Sequence, residues 1–165
     1  MASDKPLVAV LMGSASDVPL LEPCLKTLKS HAVPFAVRIL SAHRTPEETA
    51  AFVTEAERDG VEVFIAAAGM AAHLAGAVAA RTVRPVIGIP LASGPLNGQD
   101  ALLSTVMMPP GLPVATVAVN GAQNAAVLAM QILALSRPAL GEALREGRER
   151  MRREVLEKDR ALPRE

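Results

Sequence analysis

The fold is decided first by residues 7–17, LVAVLMGSASD. Residues 7–12 are all apolar, without the alternation of a half-exposed strand, which is typical of a β-strand that helices cover on both faces. The apolar run stops at Gly13, and the small and polar residues that follow indicate a turn. Further strand-length runs of mainly β-branched or apolar residues recur at residues 35–40, 61–67, 85–90 and 113–119.

Segments with helical periodicity separate these runs. The clearest one begins with residues 45–48, TPEE, a capping box with proline at the first helical position, and it ends at Gly60. In the first helical segment, Pro23 predicts a kink or a late start. The alternation of strands and helices predicts an α/β protein with a doubly wound parallel sheet. The later helices are predicted over residues 71–82, 100–107 and 122–135.

The length of 165 residues predicts a single domain over residues 1–165, with its core within residues 7–135. Residues 138–160 are highly charged and are predicted to form a C-terminal helix in which a thin apolar stripe can share one side. A solvated terminal helix is one interpretation. Because the core is already closed by residue 135, we expect this helix to pack on a neighbouring subunit, which makes the protein a homo-oligomer. The stripe consists of Leu140, Leu144, Met151 and Val155.

The composition excludes several classes of protein. Lysine plus arginine number 17 and aspartate plus glutamate also number 17, so no global positive charge attracts nucleic acid or an anionic membrane. The apolar runs are shorter than the roughly 18 residues that a membrane span requires. The only cysteine, Cys24, cannot form a disulfide within the chain, and no secretory pattern precedes the first strand, so a cytoplasmic protein is expected. Three phenylalanines without Trp or Tyr offer little surface for stacking on bases or flavins.

Polar residues follow the first predicted strand. Ligands of an open parallel sheet bind at the carboxyl ends of its strands. There, the hydroxyls of Ser14 and Ser16 and nearby backbone amides can hold a phosphate, and Asp17 can accept hydrogen bonds from ribose hydroxyls. The alternative is ordinary helix capping by Ser16 or Asp17. The segment matches neither the dinucleotide glycine fingerprint nor the phosphate-loop signature.

Two of the three histidines also follow predicted strands. His43 lies in residues 41–46, SAHRTP, where Arg44 offers a cation suited to bidentate phosphate binding. His73 lies in residues 66–76, AAAGMAAHLAG, a stretch that otherwise carries no charge. Such apolar surroundings can take a carboxylate out of water and ease the loss of carbon dioxide. The alternatives are a turn-shaping role for His43 and a tightly packed helix that buries His73.

Two further features of the sequence concern metals and a long loop. A metal that joins the two histidines is not expected, because no local ligand spacing of the His-x-x-x-His or Cys-x-x-Cys kind is present. Residues 93–100, SGPLNGQD, form a loop long enough to cover a ligand. We interpret this loop as a lid, and a plain turn-rich connection is the alternative.

Taken together, these segments resemble the N5-carboxyaminoimidazole ribonucleotide mutase family of purine biosynthesis. The resemblance implies a flavodoxin-like three-layer α/β/α sandwich that assembles as a homo-octamer with the site shared between subunits. It also implies a small-molecule ribonucleotide substrate and a reaction without metal or other cofactor, in which a carboxylate moves from the exocyclic nitrogen to C4 of an imidazole. The matching stretches, in the family's order, are residues 13–17, 41–46, 71–74, 100–104 and 124–126.

The resemblance implies a role for each site residue. His43 is the implied general acid/base, because imidazole groups titrate near pH ~6.5 and can both give and take a proton at neutral pH. The implied contacts of the ribonucleotide are Ser14, Ser16, Asp17, Ser41 and Arg44. The implied lining of the carboxylate pocket is Gly69, His73 and Leu74.

The mutase has two alternatives, a direct carboxylase and a non-enzymatic binding module. A sister branch carboxylates aminoimidazole ribonucleotide directly with carbon dioxide, but it usually has lysine at the position of Arg44 and lacks the AAHL segment of residues 71–74. A non-enzymatic flavodoxin-like or receiver-type binding module would need aromatic residues for a flavin or an acidic cluster at the strand ends, and neither set is present. The chain departs from the mutase pattern at four positions. Met70 stands where a second glycine is common, Ala75 where proline is common, and Ala92 and Met107 where glutamine is frequent.

Overall fold

The computed structural model describes residues 5–163, which form a five-stranded parallel sheet with helices on both faces. Residues 1–4 and 164–165 of the predicted domain lie outside the described residues. The strands are β1 (Val8–Met12), β2 (Phe35–Ile39), β3 (Val63–Gly69), β4 (Val86–Leu91) and β5 (Ala115–Thr116), in the spatial order β2-β1-β3-β4-β5. The helices are α1 (Val18–Ser30), α2 (Pro46–Asp59), α3 (Leu74–Ala79), α4 (Gln99–Val106), α5 (Ala122–Ala134) and α6 (Pro138–Arg160).

Each face of the sheet has its own hydrophobic core. Alternate residues of β1 point to opposite faces, so Val8 and Val10 belong to one core while Ala9 and Leu11 belong to the other. Helices α1 and α5 cover the first core, and α2 and α3 cover the second. This arrangement explains why residues 7–12 are apolar at every position. The predicted three-layer α/β/α sandwich is confirmed, and its strand order is that of the flavodoxin-like fold.

The second strand differs from the other long strands because it lies at the edge of the sheet. All residues of β1 are buried, whereas none of the residues of β2 is. Ile39 is 51% exposed, and the guanidinium of Arg38 lies 5.1 Å from the ring centroid of Phe52. An apolar run therefore predicted the strand correctly here, although its outer positions remain open to solvent.

Two predicted elements are shorter in the structure. The fifth strand was expected over residues 113–119, but only Ala115–Thr116 pair with β4. Pro113 has no N–H to contribute, and beyond the strand only single hydrogen bonds join the segment to β4, such as that from Val117 N–H to the carbonyl of Gly88 (3.1 Å). The third helix was expected from residue 71 but begins at Leu74, because Met70 has φ +54° and turns the chain first.

The second helix has its predicted bounds but not its predicted cap. Pro46 is its first residue, and Gly60 ends it with φ +107°. The hydroxyl of Thr45 makes no bond to the first turn of α2; it accepts from the N–H of Ser41 (2.8 Å) and donates to the carbonyl of the same residue (3.2 Å). The capping-box prediction is therefore wrong, since Thr45 instead closes the loop that carries His43.

The first helix begins at Val18 and includes Pro23 without a break. A short 3-10 turn, Ala15–Asp17, precedes it. The α-helix therefore starts late, which is one of the two outcomes that Pro23 predicts. A residue at position 23 would normally donate its backbone N–H to a carbonyl in the first turn of α1. Proline lacks this N–H, so the helix loses one hydrogen bond close to its start. Cys24 is fully buried on this helix, and burial raises the pKa of its thiol to about 12, which agrees with a core residue.

The C-terminal helix divides into two halves. Leu140 and Leu144 pack against the core under α1 and α5, whereas Met151 and Val155 are 58% and 65% exposed. The expectation that the whole stripe packs on a neighbouring subunit is therefore corrected for its first half, which packs on its own chain. Across residues 5–163, no helix is both long enough and apolar enough to span a membrane.

Candidate active site

The loops that follow β1, β2, β3 and β4 meet at the carboxyl edge of the sheet and surround a cavity of about 490 Å³. The cavity brings together every residue that the sequence analysis assigned to the site. These residues are Ser14, Ser16, Asp17, Ser41, His43, Arg44, Gly69, His73 and Leu74. Ser93 and Met70 also line it, although neither was assigned to the site.

The loop after β1 is held by its own serines. Ser14 is extended (φ −152°), and its Oγ accepts hydrogen bonds from the backbone N–H (3.3 Å) and the hydroxyl (2.8 Å) of Ser16. The side chain that caps this turn therefore belongs to Ser14. The alternative, in which Ser16 or Asp17 caps the helix, is wrong, because the side chain of Asp17 makes no cap hydrogen bond to α1.

Asp17 is the acidic residue that lines the cavity, and it is buried, with 8% of its surface exposed. Burial raises the pKa of its carboxyl above the ordinary value of 3.8, and the effect is partly offset by hydrogen bonds from Ser14 and Ser16 and by the charge of Arg44. The carboxylate is thus an acceptor held out of bulk water at the wall of the cavity, which suits hydrogen bonding to hydroxyl groups of a ligand.

Arg44 joins the loops after β1 and β2. Its Nη2 donates to the carbonyl of Gly13 (2.7 Å), and both its backbone N–H (3.2 Å) and its Nε (3.4 Å) lie within reach of Ser41 Oγ. These contacts orient the guanidinium along the same side of the cavity as Ser14 and Asp17. A fixed guanidinium presents planar donors that match phosphate oxygens.

The two histidines touch each other. His43 Nε2 lies 2.7 Å from His73 Nδ1, and the rings meet edge to face with centroids 4.8 Å apart and an angle of 80° between their planes. His43 comes from the loop after β2 and His73 from the loop after β3, so β1 lies between their strands in the sheet. The sequence analysis placed both in one site but assigned His73 only to the pocket wall.

The loop after β4 approaches the loop after β3 very closely. A Cβ built on Gly69 would lie 1.7 Å from Ser93 Oγ and 3.0 Å from Ser93 Cβ, so any other residue at position 69 requires Ser93 to move. Asn120 fixes the same loop by accepting a hydrogen bond from the N–H of Ala92 at its Oδ1 (2.9 Å). Ser93 could have been found from the sequence, since it follows the fourth apolar run just as Ser14 follows the first.

Met70 is the second residue that the sequence analysis did not assign to the site. Its φ of +54° lies in the left-handed region that favours glycine, and its side chain is exposed. The resemblance described above implies glycine at this position, and the backbone angle gives the physical reason for that preference. Leu74, by contrast, is almost fully buried where α3 begins, so it forms a rigid wall.

The donor set for metals is small. Within residues 5–163, no group of three or more His, Cys, Asp or Glu side chains is placed to hold a metal ion.

The fold and this cavity define a flavodoxin-like α/β protein whose serine, aspartate, arginine and histidine side chains share one cavity at the carboxyl edge of the sheet. Residues 7–154 match the model of the AIR carboxylase family, and the chain belongs to that family. The resemblance to the mutase family drawn from the motifs is confirmed by the relatives that follow.

Two curated relatives cover almost the whole chain. The N5-carboxyaminoimidazole ribonucleotide mutase of Pyrococcus horikoshii is 50% identical over 162 residues, which cover 98% of this chain and 92% of that protein. The protein of the same name from Thermotoga maritima is 47% identical, with 95% of this chain and 92% of that protein covered. Among solved structures, Treponema denticola PurE is 32% identical and superposes with a TM-score of 0.88, covering 96% of this chain and 99% of that chain.

Proposed function

We propose that the chain is an N5-carboxyaminoimidazole ribonucleotide mutase, an isomerase of purine biosynthesis. It moves the carboxylate of its substrate from the exocyclic nitrogen to C4 and yields 4-carboxy-5-aminoimidazole ribonucleotide. The observation that carries the proposal is the position of His43 between two unlike walls of one cavity. One wall holds Ser14, Asp17 and Arg44, and the other is the charge-free stretch after β3 that contains His73. The names and the near-complete coverage of the relatives support the same reaction.

The polar wall binds the ribonucleotide. Arg44 and the hydroxyls of Ser14, Ser16 and Ser41 bind the phosphate, because a guanidinium and short hydroxyl donors match phosphate oxygens. Asp17 accepts hydrogen bonds from the ribose hydroxyls, which its burial strengthens. The contact of Arg44 with Gly13 (2.7 Å) supports this assignment, since it holds the cation before a ligand arrives.

The apolar wall receives the carboxylate. Gly69 leaves room for it, Leu74 excludes water beside it, and His73 offers it a polar contact. Exclusion of water destabilises the charged carboxylate relative to neutral carbon dioxide. The bond between the exocyclic nitrogen and the carboxyl carbon therefore breaks more easily. The same enclosure keeps the carbon dioxide near C4.

His43 carries the proton. As the bond between the exocyclic nitrogen and the carboxyl carbon breaks, His43 donates a proton to that nitrogen and carbon dioxide is released into the pocket. The carbon of carbon dioxide then bonds to C4, and His43 removes the hydrogen of C4 as a proton. The same proton count is restored at the end of the cycle, so no external acid, base or redox partner is consumed.

We further propose that the enzyme works as a cytoplasmic homo-octamer. Large apolar side chains on α4, directly after it and on the second half of α6 remain exposed in the single chain, which supports contacts between subunits. These side chains are Leu103, Met107, Met151 and Val155. Sedimentation velocity tests the octamer, and a stable monomer at micromolar concentration would contradict it.

The reaction is tested by offering two substrates separately. One assay contains N5-carboxyaminoimidazole ribonucleotide, and the other contains aminoimidazole ribonucleotide with bicarbonate; both follow formation of the C4-carboxylated product. We expect efficient turnover of the first. Efficient turnover of only the second would replace the mutase with a direct carboxylase. Binding without turnover of either would indicate a nucleotide-binding module.

A further inference from the structure

The contact between the histidines couples their protons. A hydrogen bond at 2.7 Å between His43 Nε2 and His73 Nδ1 requires that one nitrogen carries a proton and the other does not. Two bare nitrogens would repel each other through their lone pairs, and two N–H groups would clash. The tautomer of one ring therefore determines the tautomer of the other.

Both rings are held in place by their backbones. The N–H of His73 donates to the carbonyl of Ala71 (2.8 Å), and its carbonyl accepts from Ala77 at the start of α3 (2.9 Å). On the other side, Arg44 ties the loop of His43 to Gly13. In the part of the chain that the structure describes, neither imidazole has another hydrogen-bond partner, so this contact is the one hydrogen bond that orients the two rings.

We propose that His73 is a positioning residue that accepts a hydrogen bond from Nε2–H of His43 and so makes Nδ1 of His43 the nitrogen that exchanges protons with the substrate. This inference rests on the proposed mutase function and specifies which atom performs it. It follows from the charged state of His43, in which both of its nitrogens carry protons. In that state only a bare Nδ1 on His73 can accept, and the proton of the neutral His73 ring lies on Nε2.

The proton balance is complete with this assignment. Charged His43 gives its Nδ1 proton to the leaving nitrogen and becomes neutral, with the remaining proton on Nε2 still donated to His73. Nδ1 is then bare and faces the substrate as the base that takes the C4 proton. His73 stays neutral throughout, and His43 never has to change tautomer between its two tasks.

The first experiment reads the tautomers without substrate, by long-range ¹H–¹⁵N correlation spectra of the imidazole rings at a pH where they are neutral. The chain has only three histidines, so the spectrum is simple. His31 is an internal reference, because its Nδ1 lies 2.9 Å from the carbonyl of Thr27, a pure acceptor, and must carry the proton. We expect His43 to show the opposite tautomer, with its proton on Nε2. A proton on Nδ1 of His43 would overturn the proposal.

The second experiment replaces His73 in three ways. Asparagine keeps a polar atom bonded to Cγ, as Nδ1 is in histidine. Glutamine places its polar atoms one carbon further from the backbone, and leucine has no polar atom. We expect H73L and H73Q to lower kcat roughly 10- to 100-fold, which is part of the usual contribution of a positioned acid or base. We expect H73N to have a kcat much closer to that of wild type. We also expect the spectrum of His43 to stay like wild type in H73N and to become a tautomer mixture in H73L.

The outcomes separate this proposal from the mutase assignment. Equal loss of kcat in all three variants, with an unchanged His43 spectrum, would leave His73 as a wall of the pocket and overturn the positioning role. A tautomer that depends on His73 in a protein without mutase turnover would instead overturn the proposed function and support the coupling of the rings. Thermal melting of each variant shows that a loss of kcat does not come from unfolding.

Discussion

Two cavities of about 490 Å³ each lie at opposite ends of the sheet, and they differ in how their polar groups are used. At the amino ends of β4 and β5, Thr82 donates to a carboxylate oxygen of Glu57 (2.6 Å), and Arg84 pairs with the same carboxylate (3.4 Å). These groups satisfy one another. At the carboxyl edge, by contrast, polar groups from four separate loops converge on the cavity. The volume of a cavity therefore does not by itself identify a ligand-binding site. The convergence of polar groups from several strand ends on one cavity does.

The largest expected effect comes from His43→Asn. We expect kcat to fall roughly 10²- to 10⁴-fold, because the variant has no group that can exchange protons at neutral pH, while binding of aminoimidazole ribonucleotide is retained. Steady-state kinetics and calorimetry measure the two effects. The matched control is His31→Asn at the end of α1, which should leave both unchanged. Near-normal turnover of His43→Asn would remove His43 from its role.

The substitution Arg44→Gln, with Arg84→Gln as its control, tests which of the two cavities binds the phosphate. Loss of the guanidinium removes charge-assisted hydrogen bonds to the phosphate, so KM should rise roughly 10- to 100-fold, the equivalent of about 1.5 to 3 kcal/mol. The control is Arg84→Gln in the cavity at the amino ends, which we expect to leave KM within about twofold of wild type, as for other surface changes. Equal effects of the two substitutions would contradict the assignment of the phosphate to the carboxyl edge.

Gly69→Ala tests the close approach of two loops at the carboxyl edge. The added Cβ would collide with Ser93 Oγ, so we expect a loss of about 1 to 3 kcal/mol in the free energy of unfolding, together with lower kcat/KM. Adding Ser93→Gly should restore part of the stability, which a double-mutant cycle in urea measures.

The control for this substitution is Gly111→Ala beside the other cavity. A Cβ there meets nothing within 4 Å, although φ is +93°. We expect some loss of stability from backbone strain and no change in kcat/KM. A Gly69→Ala variant with wild-type stability and activity would show that Ser93 moves aside freely.

The smallest expected effect concerns Asp17 and pH. Burial raises the pKa of this carboxyl in the folded state, so the folded protein binds the proton more readily than the unfolded chain. The stability that this difference contributes is fully present below the pKa of the unfolded chain and is lost as the pH rises through the pKa of the folded state. Asp17→Asn removes that charge. We expect it to raise the free energy of unfolding by less than about 1 kcal/mol at neutral pH and to lose this advantage as pH falls through the acid range.

Urea unfolding at several pH values checks this prediction. A variant that is less stable than wild type at neutral pH would show that the contacts of Asp17 with Ser14 and Ser16 outweigh its burial. Substrate affinity should fall in the same variant, because an amide offers a donor where the ribose hydroxyls need acceptors.

Much of the site could be predicted because the chemistry of a parallel sheet is local in sequence. Each polar residue that follows a strand lies at the same edge, so Ser14, His43 and His73 were placed together from the apolar runs before them. Ser93 obeys the same rule and was missed because its loop was interpreted as a lid. The predicted cap of α2 is wrong for a different reason. The hydroxyl of Thr45 could bond either to the first turn of α2 or to the backbone of Ser41, and only the folded loop shows that it bonds to Ser41.

The sequence by itself determined the layers, since residues that are apolar on both faces require helices on both sides of the sheet. It also determined which side chains reach the carboxyl edge. Only the tertiary structure decided which of them touch. Because β1 lies between β2 and β3, the loops after these two neighbouring strands meet beside the end of β1. His43 therefore contacts His73, and Arg44 contacts Gly13. Contacts between residues some thirty positions apart depend on strand order and loop geometry, which no local pattern encodes.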